Sequence, residues 1–352
     1  MDTISINLYV NKDKRLTSTE LKDLAEDIAK FKSTEGYRYI TLNSVSKGDR
    51  VSFKLTYPRF YDGNNAFIIR SKKMCIKLQE HFIKCLCDFG YDKYFTKVEV
   101  IRVDIPFTFY MEENKTFNSY FNLFVLFADI YEYESTRRSS ITVERTRTRE
   151  KETVYYADTP VVSNYNSRIV IYNQNLNIKL KYTSDDNDEQ LTYENVLWRH
   201  PDLPKRIRIE VSKRVKRHPI PLYDFAKLDI LETYYENFKT YLLDNIFDLN
   251  ILDKVTEDRI ETLTIKFNKR RDTKGFNFGK FILQEQVDIR DYKSLRLAMK
   301  KSLKNPISYK GNLFQLRNAI TEYEMDTNNI IFDVRNKFLE MRELTINDNI
   351  TS

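Results

Sequence analysis

Residues 205–215 read KRIRIEVSKRV. Successive side chains of an extended strand point to opposite faces, so Ile207, Ile209 and Val211 fall on one side and Arg206, Arg208, Glu210 and Ser212 on the other. This alternation predicts a strand with one face in a core and the other carrying charge. A second stretch, TKVEVIRVDIPFTF at 96–109, has the same character. There Arg102 and Asp104 share a face, and Ile101, Val103 and Ile105 share the opposite one. Two such strands predict a sheet with one polar surface, and the rest of the chain is read around them.

Further strands are predicted at 37–43, 51–57, 152–157, 167–173 and 175–183. Residues 17–32 (TSTELKDLAEDIAKFK) predict a short helix, because Thr17, Ser18 and Thr19 offer N-caps and Leu21, Leu24, Ile28 and Phe31 recur at helical spacing. Helical period returns at 71–89, with Met74, Leu78, Phe82, Cys85 and Leu86 inward, and again around 116–133. After Pro219 and Pro221 it dominates, through LYDFAKLDILETYYENFKTYLLDNIF (222–247), 257–268, 280–304 and 312–342. The expected fold class is α+β: an antiparallel-sheet-centred domain with flanking helices over 1–220, followed by an all-α C-terminal domain over 221–352.

With 352 residues, the chain has length enough for one large or two ordinary domains, which bury roughly 75% of their unfolded surface. It has no run of about 18 apolar residues, and its start, MDTISINLYVNKDKR, lacks a basic segment followed by an apolar one. A cytoplasmic protein with no membrane segment is expected. Cys75, Cys85 and Cys87 fall in one predicted helix without a C-x-x-C pair or neighbouring histidine ligands, which points to reduced core thiols rather than zinc or disulfides. Only 7 glycines occur, in no G-x-G-x-x-G or G-x-x-x-x-G-K pattern, which excludes the dinucleotide and P-loop signatures.

The formal charge is +7, and its distribution says more than its size. Between Thr136 and Lys151, Arg137, Arg138, Arg145, Arg147, Arg149 and Lys151 face only Glu144 and Glu150. Between Lys205 and Arg217, seven Lys and Arg face Glu210 alone. Either these are solvated faces or they meet a polyanion. Their place within strand patterns, beside 24 Tyr and 23 Phe able to stack on bases, favours nucleic acid.

A carboxylate flanked by Ile and Val is costly to bury unless it is paired or holds a cation. Asp104 and Glu210 therefore have two readings: ligands of Mg²⁺ or Mn²⁺ at a scissile phosphodiester, or partners in ion pairs with Arg102 and Arg208. Tyr172, within SRIVIYNQNLNIKLK (167–181), is a candidate nucleophile, since a tyrosine can attack phosphorus and hold a cut strand as phosphotyrosine. A phenol is only about 0.1% ionised at pH 7, so a metal or cations such as Lys179 and Lys181 must favour the anion. Tyr155, Tyr156 and Tyr165 compete for the role. His81, His200 and His218 form no metal-binding pair on one strand.

Four segments, in order, resemble the filamentous-phage gene II replication endonucleases and related phage and plasmid proteins. TYPRFYDGNNAFIIRSKKMCIKLQEHF resembles their S-P-x-K-x-L-x-G-H-N-V-F-G segment and following helix, and EVIRVDIPFTF their S-R-I-D-x-x-F strand. ETVYYADTPVVSNYNSRIVIYNQNLNIKLK resembles their Y-x-K-x-x-E-L hairpin, and RIRIEVSKRVKRHPIPLYDF their closing R-F-E-x-R-I-K strand. The resemblance spans about 51–225 and implies rolling-circle initiation. Such a protein nicks one strand of supercoiled origin DNA through a tyrosine, with Mg²⁺ or Mn²⁺, and later rejoins the displaced circle. Tyr172 falls on the family's nucleophile, Asp104 on its R-I-D aspartate and Glu210 on its R-F-E glutamate. Gln174 and Asn177 stand where the hairpin pattern has lysine and glutamate, and Gly63-Asn64-Asn65 where the loop has G-H-N.

Three functions follow as expectations. The first is a metal-dependent nicking and joining endonuclease; Arg102, Arg145, Arg147, Arg149, Arg168, Lys179, Arg206, Arg208, Lys213 and Arg214 would hold DNA. Its helical tail would serve origin recognition, oligomer contacts or a host helicase or polymerase. The second is an initiator that binds the origin without cutting it, as the missing hairpin lysine and glutamate favour. The third is a scaffold or interaction protein whose basic strands answer an acidic partner.

Overall fold

The computed structural model of the chain describes residues 2–14, 16–46, 49–112, 115–117, 120–121, 124, 142–147, 152–157, 167–183, 192–215, 219–247, 249–285, 287, 292–322 and 330–343. Most of the helix expected around 116–133 lies outside these, as do Arg137, Arg138, Arg149, Lys151 and Tyr165. The chain divides into two compact units, Met1–Leu242 and Leu243–Glu343.

The first unit is an α+β fold built on one antiparallel sheet. Its strands are β1 (Thr3–Val10), β2 (Ile40–Ser46), β3 (Arg50–Thr56), β4 (Phe95–Tyr110), β5 (Thr142–Arg147), β6 (Glu152–Ala157), β7 (Ser167–Asn173), β8 (Arg206–Arg214) and β9 (Pro219–Pro221). They run in the order β2-β3-β1-β4-β8-β7-β6-β5, with β9 also paired to β4. The two strands that anchor the sequence reading, β4 and β8, are neighbours near the centre. β1 was not among the expected strands, yet it sits between β3 and β4 because TISINLYV buries Ile4, Ile6 and Leu8 on alternate positions.

β4 departs from the simple alternation. Ser5 pairs with Arg102 and Ile6 with Val100, so Ile101 is the extra residue of a bulge. The bulge resets the parity: Val98 and Val100 before it and Val103, Ile105 and Phe107 after it are all buried, while Ile101 is half-buried. Without it, one half of this 16-residue strand would turn its apolar set to the polar side.

The apolar face is covered by helices. α1 (Ser18–Ala29) opens with a capping box between Thr17 and Glu20 and buries Leu21, Leu24, Ala25 and Ile28 against β2 and β3. α2 (Tyr57–Asp62) ends at Gly63, whose φ of 70° is the left-handed geometry that closes a helix. α3 (Lys72–Asp88) buries Leu78, Phe82 and Leu86. Of the three thiols on this helix, Cys75 is buried but Cys87 is exposed. Each fully buried aliphatic or aromatic side chain in this layer contributes about 1.5–3 kcal/mol.

Two expectations are corrected here. Residues 175–183 were expected to be a strand, but α4 (Gln174–Thr183) replaces the second arm of the hairpin. Leu176, Ile178 and Leu180 alternate in sequence, yet only Ile178 is buried, in a small cluster with Ala66, Val196 and Leu203; Val196 belongs to α5 (Tyr193–Arg199). The boundary expected near residue 220 lies instead at Leu242, because the intervening segment packs on the sheet unit. β9 pairs with β4, Phe225 meets Phe82 at 6.4 Å, and Tyr235 of α6 (Ile230–Tyr241) meets Phe107 at 5.4 Å.

The second unit is helical: α7 (Leu249–Arg271), α8 (Phe278–Gln284), α9 (Tyr292–Ser302), α10 (Pro306–Glu322) and α11 (Ile330–Glu343). Its core gathers Leu263, Phe267, Phe278, Phe281, Leu295, Met299 and Leu316. Phe247 and Phe338 stack at 4.5 Å within the same unit. Among the described residues, no helix is long and apolar enough to cross a membrane.

Candidate nucleic-acid interface on the polar sheet face

Residues directly opposite each other in an antiparallel pair share a face. Across the sheet, Thr3, Asp104, Ser212 and Arg168 form one row. Pro106, Glu210 and Val170 form the next, and Thr108, Arg208 and Tyr172 the one after. Arg102 sits one row to the other side, opposite Ser5 and Arg214. Asp104, Glu210 and Tyr172, far apart in sequence, therefore share a face of the sheet with Arg102, Arg168 and Arg208, and on that face Asp104 and Arg208 are buried.

Asp104 is buried, with both carboxylate oxygens on the Arg102 guanidinium: Nε donates to Oδ1 at 2.7 Å, and the second amino group donates to Oδ2. Arg208, 1% exposed, donates to Asp2 at 2.6 Å. Glu210 faces Arg168 at 3.8 Å, and the Tyr172 hydroxyl donates to Glu210 Oε2 at 3.5 Å. Burial first, and then the negative charges of Asp2 and Asp104, push the Glu210 carboxyl up to about 7. Burial also raises the Tyr172 phenol well above its ordinary value; the Arg208 charge pulls it back, and Glu210 adds to the rise. Lys181 of α4, although the residue as a whole is exposed, has its ammonium held below the usual lysine range by lost hydration and by Arg59, against the pull of Asp2 and Glu210.

Of the two readings open for the acids, ion pairing is the one the geometry shows for Asp104, with Arg102. Glu210 differs in detail, since its guanidinium is Arg168, while Arg208 pairs with Asp2. Among the described residues no group of three or more His, Cys, Asp and Glu is placed to hold a metal ion. Asp104 and Asp2 are each paired with a guanidinium.

The remaining expected DNA contacts divide by location. Arg206 is buried and spends its donors inside the fold, on Asp202 at 2.6 and 2.9 Å and on the Ala66 carbonyl at 2.5 Å. Arg214 is exposed in the polar row of Arg102. Lys213 is exposed on the alternate side and lies 5.9 Å from the Tyr241 ring, and Lys179 lies 5.9 Å from Tyr193. Arg145 and Arg147 are opposite Val154 and Glu152, in rows that alternate with that of Tyr172 and Thr153. Arg149 lies outside the described residues. Tyr155 pairs with Val170, hence in the row of Glu210.

Sequence reasoning missed Asp2, and it placed Ser212 on the polar face without giving it a role. Asp2 is buried and binds Arg208; an acid directly before an apolar alternation was the available clue. Arg208 Nε and Ser212 Oγ are buried on this face without a hydrogen-bond partner among the described residues. In the loop after α2, Asn64 is used locally: its amide donates to the Asp62 carbonyl at 2.9 Å, and its oxygen accepts from the Ala66 N–H at 2.8 Å. Compared with known proteins, the chain matches no family model, no curated protein and no solved structure.

Proposed function

We propose that this chain is a replication initiator of the rolling-circle type, which lays a strand of origin DNA across the polar sheet face and joins it to Tyr172. The observation that carries the reading is the Tyr172 hydroxyl 3.5 Å from Glu210, on the surface that holds Arg102, Arg168 and Arg208. In the cutting step a bond forms between the Tyr172 oxygen and phosphorus, and the bond to the 3′ oxygen breaks. The phenol proton passes to the Glu210 carboxylate and from there, through water, to the departing 3′ oxygen, so that Glu210 ends as the carboxylate again. The products are a 5′ phosphotyrosine and a 3′ hydroxyl, and rejoining is the reverse. A carboxylate titrating near 7 is a base matched to neutral pH.

A second reading, origin binding without cutting, is favoured by the guanidinium on Asp104 and by α4 in place of the hairpin arm, where Gln174 donates to the Asn65 carbonyl at 2.9 Å. One experiment separates them. The full chain is incubated with a labelled random-sequence pool of single strands, and with a supercoiled plasmid carrying its own replicon, with and without Mg²⁺. Label that stays on the protein in a denaturing gel, absent from Tyr172→Phe and slowed about 10²- to 10⁴-fold in Glu210→Gln, is the expected result. An adduct that survives Tyr172→Phe overturns the assignment. Salt-sensitive binding without any adduct leaves the second reading.

A further inference from the structure

The unit Leu243–Glu343 carries a surface that the sheet chemistry does not use. From Tyr292 to Glu322 seven Lys and Arg stand against one acid, Glu322. α9 buries Ser294, Leu295, Ala298 and Met299, α10 buries Leu316 and Ala319, and the two helices pack on each other and on α7 and α8. Only Leu303–Asn305 connect them. The connection is sharply built: Asn305 Oδ1 accepts from the Ile307 N–H at 2.9 Å, its carbonyl accepts from Tyr309 at 3.0 Å, and Pro306 takes the first helical position. Tyr292 ties the pair together, with Arg296 5.8 Å from its ring and Arg317 donating to its hydroxyl at 3.4 Å.

The outward side of this pair combines charge with apolar surface. Lys300, Lys301, Lys304 and Lys310 are exposed. Ile307 is 80% and Phe314 65% exposed, two helical turns apart on one side of α10. Between them lies Gly311, where an added Cβ would meet nothing within 4 Å. A mid-helix glycine that no neighbour requires weakens the helix for no gain in packing, so its use is the close approach it permits from outside.

We infer that α9, its three-residue turn and α10 form a helix-turn-helix surface that docks on duplex DNA, with α10 in the major groove. This deepens the reading above and rests on its premise that the chain acts on DNA. The lysines neutralise phosphates, the exposed amides of Gln315 and Asn318 suit adenine edges, Ile307 and Phe314 suit thymine methyl groups, and Gly311 admits the backbone.

The test uses the full chain and a labelled duplex of mixed sequence. Replacing Lys300, Lys301, Lys304 and Lys310 together by Ala lowers duplex affinity and makes the slope of log K against log salt shallower by roughly 3–4. The Tyr172 adduct on single strands is unchanged. All four side chains are exposed, and a thermal melt confirms that the variant folds. Phe314→Ala with Gln315→Ala lowers the preference for a selected site over mixed sequence by about 10- to 100-fold without changing the slope. A quadruple variant that keeps the original slope overturns the inference. So does polyglutamate bound as tightly as duplex at equal salt, which would assign the surface to an acidic protein. Loss of the adduct alone sinks the nicking reading and leaves this surface standing.

Discussion

The sheet face and the α9–α10 surface hold their positive charge in opposite ways. On the sheet, Arg208 and Arg102 are fixed by Asp2 and Asp104, and the cluster is buried enough to move the Glu210 carboxyl to about 7. On α9–α10 the lysines stand in water. A desolvated, paired guanidinium gives direction and a strong local field but depends on its partner for stability. A solvated ammonium gives attraction at range, costs the fold nothing and is screened by salt. A count of basic residues therefore does not identify a binding surface; burial and pairing decide what each charge does.

The contrast is broken most directly at Arg208. Arg208→Ala strands the buried Asp2 carboxylate and should cost about 3–5 kcal/mol, read from denaturant midpoints; a loss below about 1 kcal/mol would mean the cluster is no more buried in effect than the lysines. Next is pH. Because the folded Glu210 carboxyl is raised from 4.5 to about 7, the folded state keeps a proton that the unfolded state releases. The Glu210 contribution to stability is therefore fullest at acid pH, falls as pH rises from about 4.5 to about 7, and levels beyond, a change on the order of 3 kcal/mol. Glu210→Gln should flatten that segment of the curve, and an unchanged curve would remove Glu210 as its source.

Smaller effects sharpen the other side of the comparison. Gly311→Ala should raise stability by about 0.5–1 kcal/mol in a thermal melt, since nothing crowds the added methyl; a loss would show that the glycine serves the fold. Single Lys300→Ala or Lys304→Ala variants should stay within about 0.5 kcal/mol of the parent while still weakening duplex binding at low salt. A larger change in stability would place those lysines in the structure rather than at its surface.

Much of the sheet was legible because β4 and β8 carry alternating faces, and the shared surface of Asp104, Glu210 and Tyr172 follows from that parity. What was not legible has particular causes. The bulge at Ile101 is invisible in a strand that looks regular on paper. In α4 the alternation of Leu176, Ile178 and Leu180 competes with helix formation, and the fold buries only Ile178, with Asn173 Oδ1 accepting from the Leu176 N–H at 3.2 Å at the start. The partner of Arg208 was out of reach because Asp2 lies 206 residues away, joined only by tertiary packing.

That separation has a kinetic consequence. β1 is made before both of its neighbours, and its seat between β3 and β4 means that it must wait for residues 50–56 and 95–110 before its two edges are covered. The Asp2–Arg208 pair cannot close until more than two hundred residues have been made. Topology of this kind folds slowly, and its unpaired edges stay open to other chains meanwhile. The polar cluster is thus completed late in the unit's assembly, and conditions that slow strand pairing should yield misassembled protein before they yield a folded chain with an altered cluster.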